Sequence, residues 1–311
     1  MKKKSSTQGV ELLLSMLAVL IVYELGKAVG ALLFQAFTAG VEQLQAVHTD
    51  RWQSGALVSG EASSSAVGAA VYGLRSLAMQ LAGGLVCLLV WRRELAGRWR
   101  RQREDSAGGL EKTQKGRRKT GAGGWSGSGM SMRSTFSFFG LAVTLPLGLN
   151  LLLSILPLSR LSPSFQETAA SQAAVPVWLG ILLYVLAAPF SEELVFRGIL
   201  YGKARPVLGK TAAMLFSGLL FGIYHGNLVQ GIYASLIGTL LCYLYEKEGS
   251  LPAPVIFHGM ANLAVYLFFD VWRAGERIMA GGPAGAAVVC AALLMAGAAC
   301  LWTYGKGKIR S

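Results

Sequence analysis

Long blocks of apolar residues, each of roughly 18 residues or more, constrain the fold of this chain more than any other feature. Such a block is long enough for one helix to cross the hydrocarbon core of a bilayer, which is about 30 Å thick. Of the 311 residues, 53% are hydrophobic and only 14% are charged, whereas about 25% of the residues in a soluble domain are charged. The sequence therefore predicts an all-α fold, a polytopic membrane helix bundle with about eight transmembrane helices. The predicted spans are approximately 10–36, 67–91, 135–158, 176–200, 210–226, 228–246, 250–269 and 280–303.

The charges between these spans predict the topology. The N-terminus, the 92–134 loop, the connection near residue 205 and the C-terminal tail are basic, whereas the 38–66 and 159–175 loops are acidic or nearly neutral. Because loops rich in Lys and Arg stay on the cytoplasmic side, both termini are predicted to be cytoplasmic.

The net charge of +13 is concentrated in one segment, since twelve of the 29 Lys and Arg residues fall between Arg92 and Arg133. This segment is also rich in Gly and Ser, and it lies between two apolar blocks. A basic loop beside a membrane contacts anionic lipid, so lipid contact is favoured here and nucleic-acid binding is not expected. A regulatory or partner-binding loop is the alternative.

We predict two parts for the chain. Residues 1–134 contain two spans and the basic cytoplasmic loop, and residues 135–311 form a six-span bundle. The four cysteines all lie within apolar blocks and form no Cys-x-x-Cys pair, which predicts buried thiols rather than disulfides or metal ligands.

Two adjacent carboxylates, Glu192 and Glu193, follow an apolar run, and Arg197 comes four residues after Glu193. A charge near the bilayer centre costs at least ~2.5–3.5 kcal/mol, so such residues usually line a functional cavity. On a helix, Glu193 and Arg197 share a face and can pair, whereas Glu192 points about 100° away. We therefore expect Glu192 to be the free carboxylate, available as a general base. A charge network that only joins helices is the structural alternative.

Two of the three histidines also lie in predicted spans. His225 follows Phe221 by four residues at the end of the fifth span, and His258 precedes Asn262 by four residues in the seventh. Because residues four apart share a helix face, His258 and Asn262 can direct hydrogen-bond donors at a developing oxyanion. Taken alone, each of these polar residues is more typical of an interhelical hydrogen bond.

The sequence prediction places Glu192 and His225 at different depths in the membrane. The connection His225-Gly226-Asn227 is so short and apolar that it predicts a turn at membrane depth. Counted from cytoplasmic ends near Leu200 and Lys210, Glu192 would lie about 12 Å deep and His225 about 22 Å deep. We still expect one site in the cytoplasmic half of the bundle, open to cytoplasmic water.

Four polar residues in the first two spans are assigned structural roles. Glu24 and Lys27 are three residues apart and are expected to pair. Arg75 and Gln80 are expected to meet this pair or to face water.

The three motifs, Glu-Glu-x-x-x-Arg, Phe-x-x-x-His and His-x-x-x-Asn, occur in this order on separate predicted helices. This order resembles the CAAX prenyl protease 2 family and its bacterial relatives, the CPBP group of intramembrane proteases, also called Abi or lysostaphin-resistance-protein-A-like. Each motif is weak alone, but three in order within a polytopic chain are a strong signal. The resemblance covers roughly residues 176–269.

The resemblance implies an eight-helix bundle with a cavity open to the cytoplasm. It implies that Glu192 and His225 activate a water that attacks a peptide carbonyl, while His258 and Asn262 stabilise the oxyanion. Supporting roles are implied for three residues, Glu193, Arg197 and Phe221.

These implications favour an intramembrane endopeptidase that cleaves a membrane-associated peptide or protein, of prenylated or bacteriocin type, in a bacterial cell membrane. A non-proteolytic immunity or regulatory binding protein on the same scaffold is the alternative, because the first three spans carry no recognisable substrate-binding motif. A transporter would require inverted repeats, and the two halves show no paired motif.

Metal dependence is open at this stage. Glu192, His225 and His258 could form a His₂Glu zinc site with one open position. The chain has no His-Glu-x-x-His motif and offers no fourth strong ligand. We therefore favour hydrolysis without a cofactor, with zinc as the alternative.

Overall fold

The computed structural model describes residues 2–49, 61–120, 132–156, 158 and 162–306, without the side chains of residues 2–6, 44–49, 61–65 and 101–120. Within these ranges the chain folds into helices and contains no strand, as the all-α prediction requires. The helices of the described part are α1 (Lys2–Thr49), α2 (Glu61–Thr120), α3 (Met132–Ile155), α4 (Pro163–Ala174), α5 (Val177–Leu208), α6 (Lys210–Tyr224), α7 (Leu228–Glu248), α8 (Pro252–Val271), α9 (Ala274–Ala280) and α10 (Pro283–Gly305).

Seven of the described helices are long and apolar enough to cross a membrane, namely α1, α2, α3, α5, α7, α8 and α10. The apolar helix α6 has only 15 residues, which corresponds to about 22 Å. The chain is therefore an integral multi-pass membrane protein. The seven long helices and α6 coincide with the eight predicted spans, while the number of crossings and the cytoplasmic placement of the termini stay predictions.

The predicted 92–134 loop is wrong in its first part, because α2 continues as a helix to Thr120. Residues 121–131 of that segment lie outside the described residues. Helix-forming Arg, Lys, Glu and Gln residues dominate 92–120, and Glu94 pairs with Arg98 one turn later. Likewise α1 continues to Thr49, and the short helix α4 lies within the predicted 159–175 loop.

Helices α6 and α7 form a tight hairpin. A Cβ at Gly218 would lie 2.2 Å from the hydroxyl of Thr239, and a Cβ at Gly222 would lie 2.0 Å from the hydroxyl of Ser235. Only glycine therefore permits this approach of the two backbones, as in many membrane helix pairs.

The turn of this hairpin contains Gly226 at φ 74°, a conformation that glycine adopts without strain. The side chain of Asn227 accepts a 2.9 Å hydrogen bond from the backbone N–H of Gln230 and so caps α7. The backbone N–H groups of His225 and Gly226 donate to carbonyls of α6. These pairings satisfy polar groups that would be costly to leave unpaired at membrane depth.

Helix α5 lies at the centre of the bundle, and every residue from Ser191 to Tyr201 is buried. Two stretches of it are π-helical, Ile181–Ala187 and Leu194–Tyr201, and they flank the short α-helical segment that carries Glu192 and Glu193. Such π-helical turns are frequent at functional sites. Glu192, Glu193 and Arg197 are therefore enclosed by protein.

Candidate active site

Glu193 and Arg197 form an ion pair inside the protein. Arg197 Nη1 donates to Glu193 Oε1 at 2.7 Å, and both side chains are 0% exposed. Arg197 Nη2 donates to the carbonyl of Gly238 at 2.9 Å, and the guanidinium lies 4.6 Å from the centroid of the Phe221 ring. The pairing expected from the helical spacing is confirmed, and it joins α5 to α6 and α7.

His258 on α8 contacts both glutamates. Its Nδ1 lies 2.8 Å from Glu193 Oε1, and its Nε2 lies 3.9 Å from Glu192 Oε2. An ionised carboxylate can only accept a hydrogen bond. Nδ1 of His258 therefore carries the N–H and donates a hydrogen bond to Glu193. Glu193 thus fixes the orientation of the imidazole, and Nε2 is the nitrogen directed at Glu192.

Among the residues whose side chains are described, no arginine pairs with Glu192, as the helical spacing predicted, and its side chain is 11% exposed. His258 and Gln80 of α2 lie close to its carboxylate. Among the described residues, Glu192 and His225 share no hydrogen bond. Their joint action on one water therefore stays a prediction.

Phe221 lies between the two histidines. Its ring centroid is 4.7 Å from that of His225 and 5.7 Å from that of His258. His225 Nδ1 lies 2.8 Å from the carbonyl of Phe221, so this nitrogen donates and Nε2 is left for other partners. The second and third motifs thus meet across one aromatic ring.

Asn262 makes the interhelical hydrogen bond that was its structural alternative. Its Nδ2 donates to the backbone carbonyl of Tyr184 at 2.9 Å, within the first π-helical stretch of α5. One amide N–H uses this contact, so the second remains for another acceptor. The role of Asn262 in oxyanion stabilisation stays a prediction.

The structure removes the disagreement in depth between Glu192 and His225. Arg205 Nη2 and Lys210 Nζ both lie close to Glu246 Oε2, at 3.2 and 3.5 Å, so the adjoining ends of α5 and α6 are at one level. Glu192 is thirteen residues from Arg205, or about 20 Å, and His225 is fifteen residues from Lys210, or about 22 Å. The two residues therefore lie at similar depth.

The disagreement arose because the sequence prediction ended the fourth span at Leu200, whereas the helix continues to Leu208. Within this last part of α5, Lys203 pairs with Glu94 of α2 at 3.1 Å. Glu192 is fifteen residues from the first residue of α5 and sixteen from the last. It lies at the middle of the helix, and the placement of the site in the cytoplasmic half of the bundle stays a prediction.

The first two helices contribute contacts that the sequence prediction missed. Glu24 and Lys27 pair at 3.1 Å, as expected. Gln80, however, is half-buried, and its amide lies between Tyr23 and Glu192 instead of contacting this pair in the described structure. A glutamine within an apolar span was the available signal, but its partner could not be named without the packing of the helices.

The three candidate zinc ligands do not form a ready-made site. Among the described residues, no group of three His, Cys, Asp or Glu side chains is placed to hold a metal ion. The zinc alternative for Glu192, His225 and His258 therefore requires a rearrangement, and metal dependence itself is untested.

Two surface grooves of about 610 and 770 Å³ lie along α1. Neither groove is lined by Glu192, His225, His258 or Asn262. The cytoplasm-facing cavity expected around Glu192 stays a prediction.

Comparison with known proteins supports the resemblance drawn from the motifs. Residues 174–264 match the family model described as type II CAAX prenyl endopeptidase Rce1-like. The chain is 30% identical over 94 residues to "Putative membrane peptidase YdiL" of Bacillus subtilis. It is 30% identical over 95 residues to "UPF0177 protein YbdI" of Lactococcus lactis subsp. lactis.

Each of these two matches covers 30% of this chain, and they span 38% and 51% of the relatives' own lengths. No solved structure matches the chain. The matched residues 174–264 include all three motifs, from Glu192 to Asn262. Residues 174–264 of this multi-pass membrane protein are therefore similar to the type II CAAX prenyl endopeptidases of the Rce1-like family.

Proposed function

We propose that this protein is an intramembrane endopeptidase that hydrolyses a peptide bond of a membrane-associated substrate. The observation that carries this proposal is the placement of Glu192 Oε2 3.9 Å from His258 Nε2, with His258 oriented by Glu193. Two atoms at this separation can both lie about 2.8 Å from one water oxygen. A carboxylate and an imidazole that hold the same water are suited to activate it for attack on a carbonyl.

In the proposed reaction, the water oxygen forms a bond with the carbonyl carbon while Glu192 takes the water proton. The second N–H of Asn262 stabilises the oxyanion, while Nε2 of His258, whose N–H is directed at Glu193, accepts a hydrogen bond from the water. When the C–N bond breaks, the leaving nitrogen takes the proton that Glu192 accepted from the water. The products are a carboxylic acid and an amine, and no oxidant or reductant is needed.

Glu193 and Arg197 support this reaction without touching the substrate. Arg197 pairs with Glu193, and the same carboxylate oxygen accepts a hydrogen bond from His258 Nδ1. The two adjacent glutamates thus have different tasks, with Glu193 orienting an imidazole and Glu192 moving a proton.

The experiment compares the N- and C-termini of membrane proteins in cells that carry the wild-type chain or Glu192→Gln, which keeps the size of the side chain. We expect specific new termini with the wild type and their loss with Glu192→Gln. Glu276→Gln, on the exposed side of α9, is the matched control. Equal cleavage by Glu192→Gln would refute the assignment of Glu192.

A non-proteolytic immunity or regulatory protein is the second candidate, favoured by the fact that the matched segment covers only residues 174–264. In that case a strain carrying Glu192→Gln keeps its phenotype and shows the same set of termini as the wild type. A phenotype lost together with the termini excludes this candidate.

We further propose a bacterial cell membrane as the location, supported by relatives from Bacillus and Lactococcus. The substrate class, prenylated or bacteriocin-type, is left to the termini comparison. The basic segment 92–134, whose helical part extends α2, is proposed to contact anionic lipid. Binding of purified protein to vesicles with and without phosphatidylserine, at low and high salt, tests this contact.

A further inference from the structure

The first two helices, which lie outside the matched segment 174–264, reach the carboxylate of Glu192. Tyr23 of α1 is 0% exposed, and its hydroxyl lies 2.5 Å from Gln80 Oε1 on α2. Gln80 Nε2 lies 3.5 Å from Glu192 Oε1. A continuous contact therefore runs from α1 through α2 to the candidate general base.

The direction of each hydrogen bond in this contact follows from the chemistry. An ionised Glu192 can only accept, so the N–H₂ group of Gln80 must face it. The carbonyl oxygen of Gln80 then faces Tyr23 and can only accept, so the Tyr23 hydroxyl donates. The tyrosine thereby fixes which end of the amide the glutamate meets.

The packing of α2 brings Gln80 to this position. Gly83 and Gly84 follow Gln80 by three and four residues and share its helix face. A Cβ at Gly83 would lie 2.7 Å from the ring of Tyr23, and a Cβ at Gly84 would lie 3.1 Å from Cβ of Ser191. The Ser191 hydroxyl also donates to the backbone carbonyl of Gln80 at 3.0 Å. The two glycines thus fit α2 closely against both α1 and α5.

The two oxygens of Glu192 have different neighbours. Oε1 faces Gln80, whereas Oε2 is the oxygen 3.9 Å from His258 Nε2. A donor on Oε1 limits rotation of the carboxylate and leaves Oε2 to accept the proton of a water. We propose that Tyr23 and Gln80 are positioning residues, which orient Glu192 for general-base action from outside the matched segment. This inference rests on the proposed function of Glu192.

The test uses the full-length protein in proteoliposomes and the peptide identified by the termini comparison. We expect Gln80→Leu to lower kcat about ten- to a hundredfold with little change in KM, the range seen when a residue that orients a reactive group is removed. Tyr23→Phe should lower kcat less, because the amide keeps its place but loses the donor that fixes it. Matched controls are Gln35→Leu and Tyr72→Phe, which alter exposed side chains of α1 and α2.

A double-mutant cycle separates positioning from a general structural effect. If Tyr23 acts only through Gln80, Tyr23→Phe should cause no further loss in the Gln80→Leu background. Additive losses would overturn the proposal, as would a wild-type kcat for Gln80→Leu. Thermal unfolding of each variant is measured alongside, and Gln80→Met serves as a second variant if Gln80→Leu does not fold.

Two outcomes separate this inference from the proposed function. Cleavage by Glu192→Gln would refute the proposed function, whereas an inactive Glu192→Gln with a fully active Gln80→Leu refutes only the positioning role.

Discussion

Removal of the Arg197 guanidinium should destabilise this protein strongly. Arg197 and Glu193 are both 0% exposed, and Arg197 also holds the Gly238 carbonyl. In Arg197→Met the carboxylate of Glu193 loses its balancing charge, and of its partners in the described structure it keeps His258. Breaking a buried ion pair from one side costs about 3–5 kcal/mol, because the remaining charge is uncompensated. We therefore expect the free energy of unfolding to fall by about that amount.

The assay is unfolding of the purified protein by sodium dodecyl sulfate in mixed micelles, followed by circular dichroism. The double variant Glu193→Gln/Arg197→Met removes both charges and should recover most of the lost stability. Arg273→Met serves as the control, since Arg273 pairs with Glu276 on an exposed surface and should show no measurable change. The reasoning is refuted if Arg197→Met unfolds like the wild type. It is also refuted if the double variant loses as much unfolding free energy as the two single variants lose together.

Three further outcomes are expected. Gly238→Ala places a Cβ 3.0 Å from the Phe221 ring, so it should lose about 1–3 kcal/mol of stability by overpacking. Gly285→Ala is the control, because its Cβ would meet nothing within 4 Å and should leave the stability unchanged. Thermal unfolding of both variants measures the difference. Glu246→Gln removes the negative charge that Arg205 and Lys210 share, so its melting temperature should be lower than that of the wild type. Because salt screens these exposed pairs, the difference in melting temperature should shrink at high salt. Cleavage should persist after treatment with 1,10-phenanthroline, and a loss that zinc restores would favour the metal alternative.

The sequence predicted the contacts that depend on helical spacing alone. Glu193 and Arg197 are four residues apart on one helix, so their pairing follows from the geometry of that helix. The positions of the spans follow in the same way from the lengths of the apolar blocks. These local relations need no knowledge of which helices are neighbours.

Contacts between helices could not be predicted in this way. The approach of Gln80 to Glu192 depends on how Gly83 and Gly84 fit α2 between α1 and α5, and no spacing in the sequence reports that fit. The π-helical stretches beside Glu192 were also missed, because apolar periodicity does not distinguish them from α-helix. The helical conformation of 92–120 was missed because hydropathy shows where the chain becomes polar, and a helix can continue beyond that point.

The shortness of α6 has a consequence for the surrounding lipid. Its length of about 22 Å is roughly 8 Å less than the thickness of a typical hydrocarbon core. Leu215, Leu219 and Ile223 form an exposed stripe along it, at 59, 54 and 66% exposure. The predicted crossing of the bilayer by α6 would require acyl chains beside this stripe to compress or tilt to match the helix, at a cost of a fraction of a kcal/mol per Å. We therefore expect the protein to favour lipids with shorter chains, and to be more stable in thin bilayers than in thick ones.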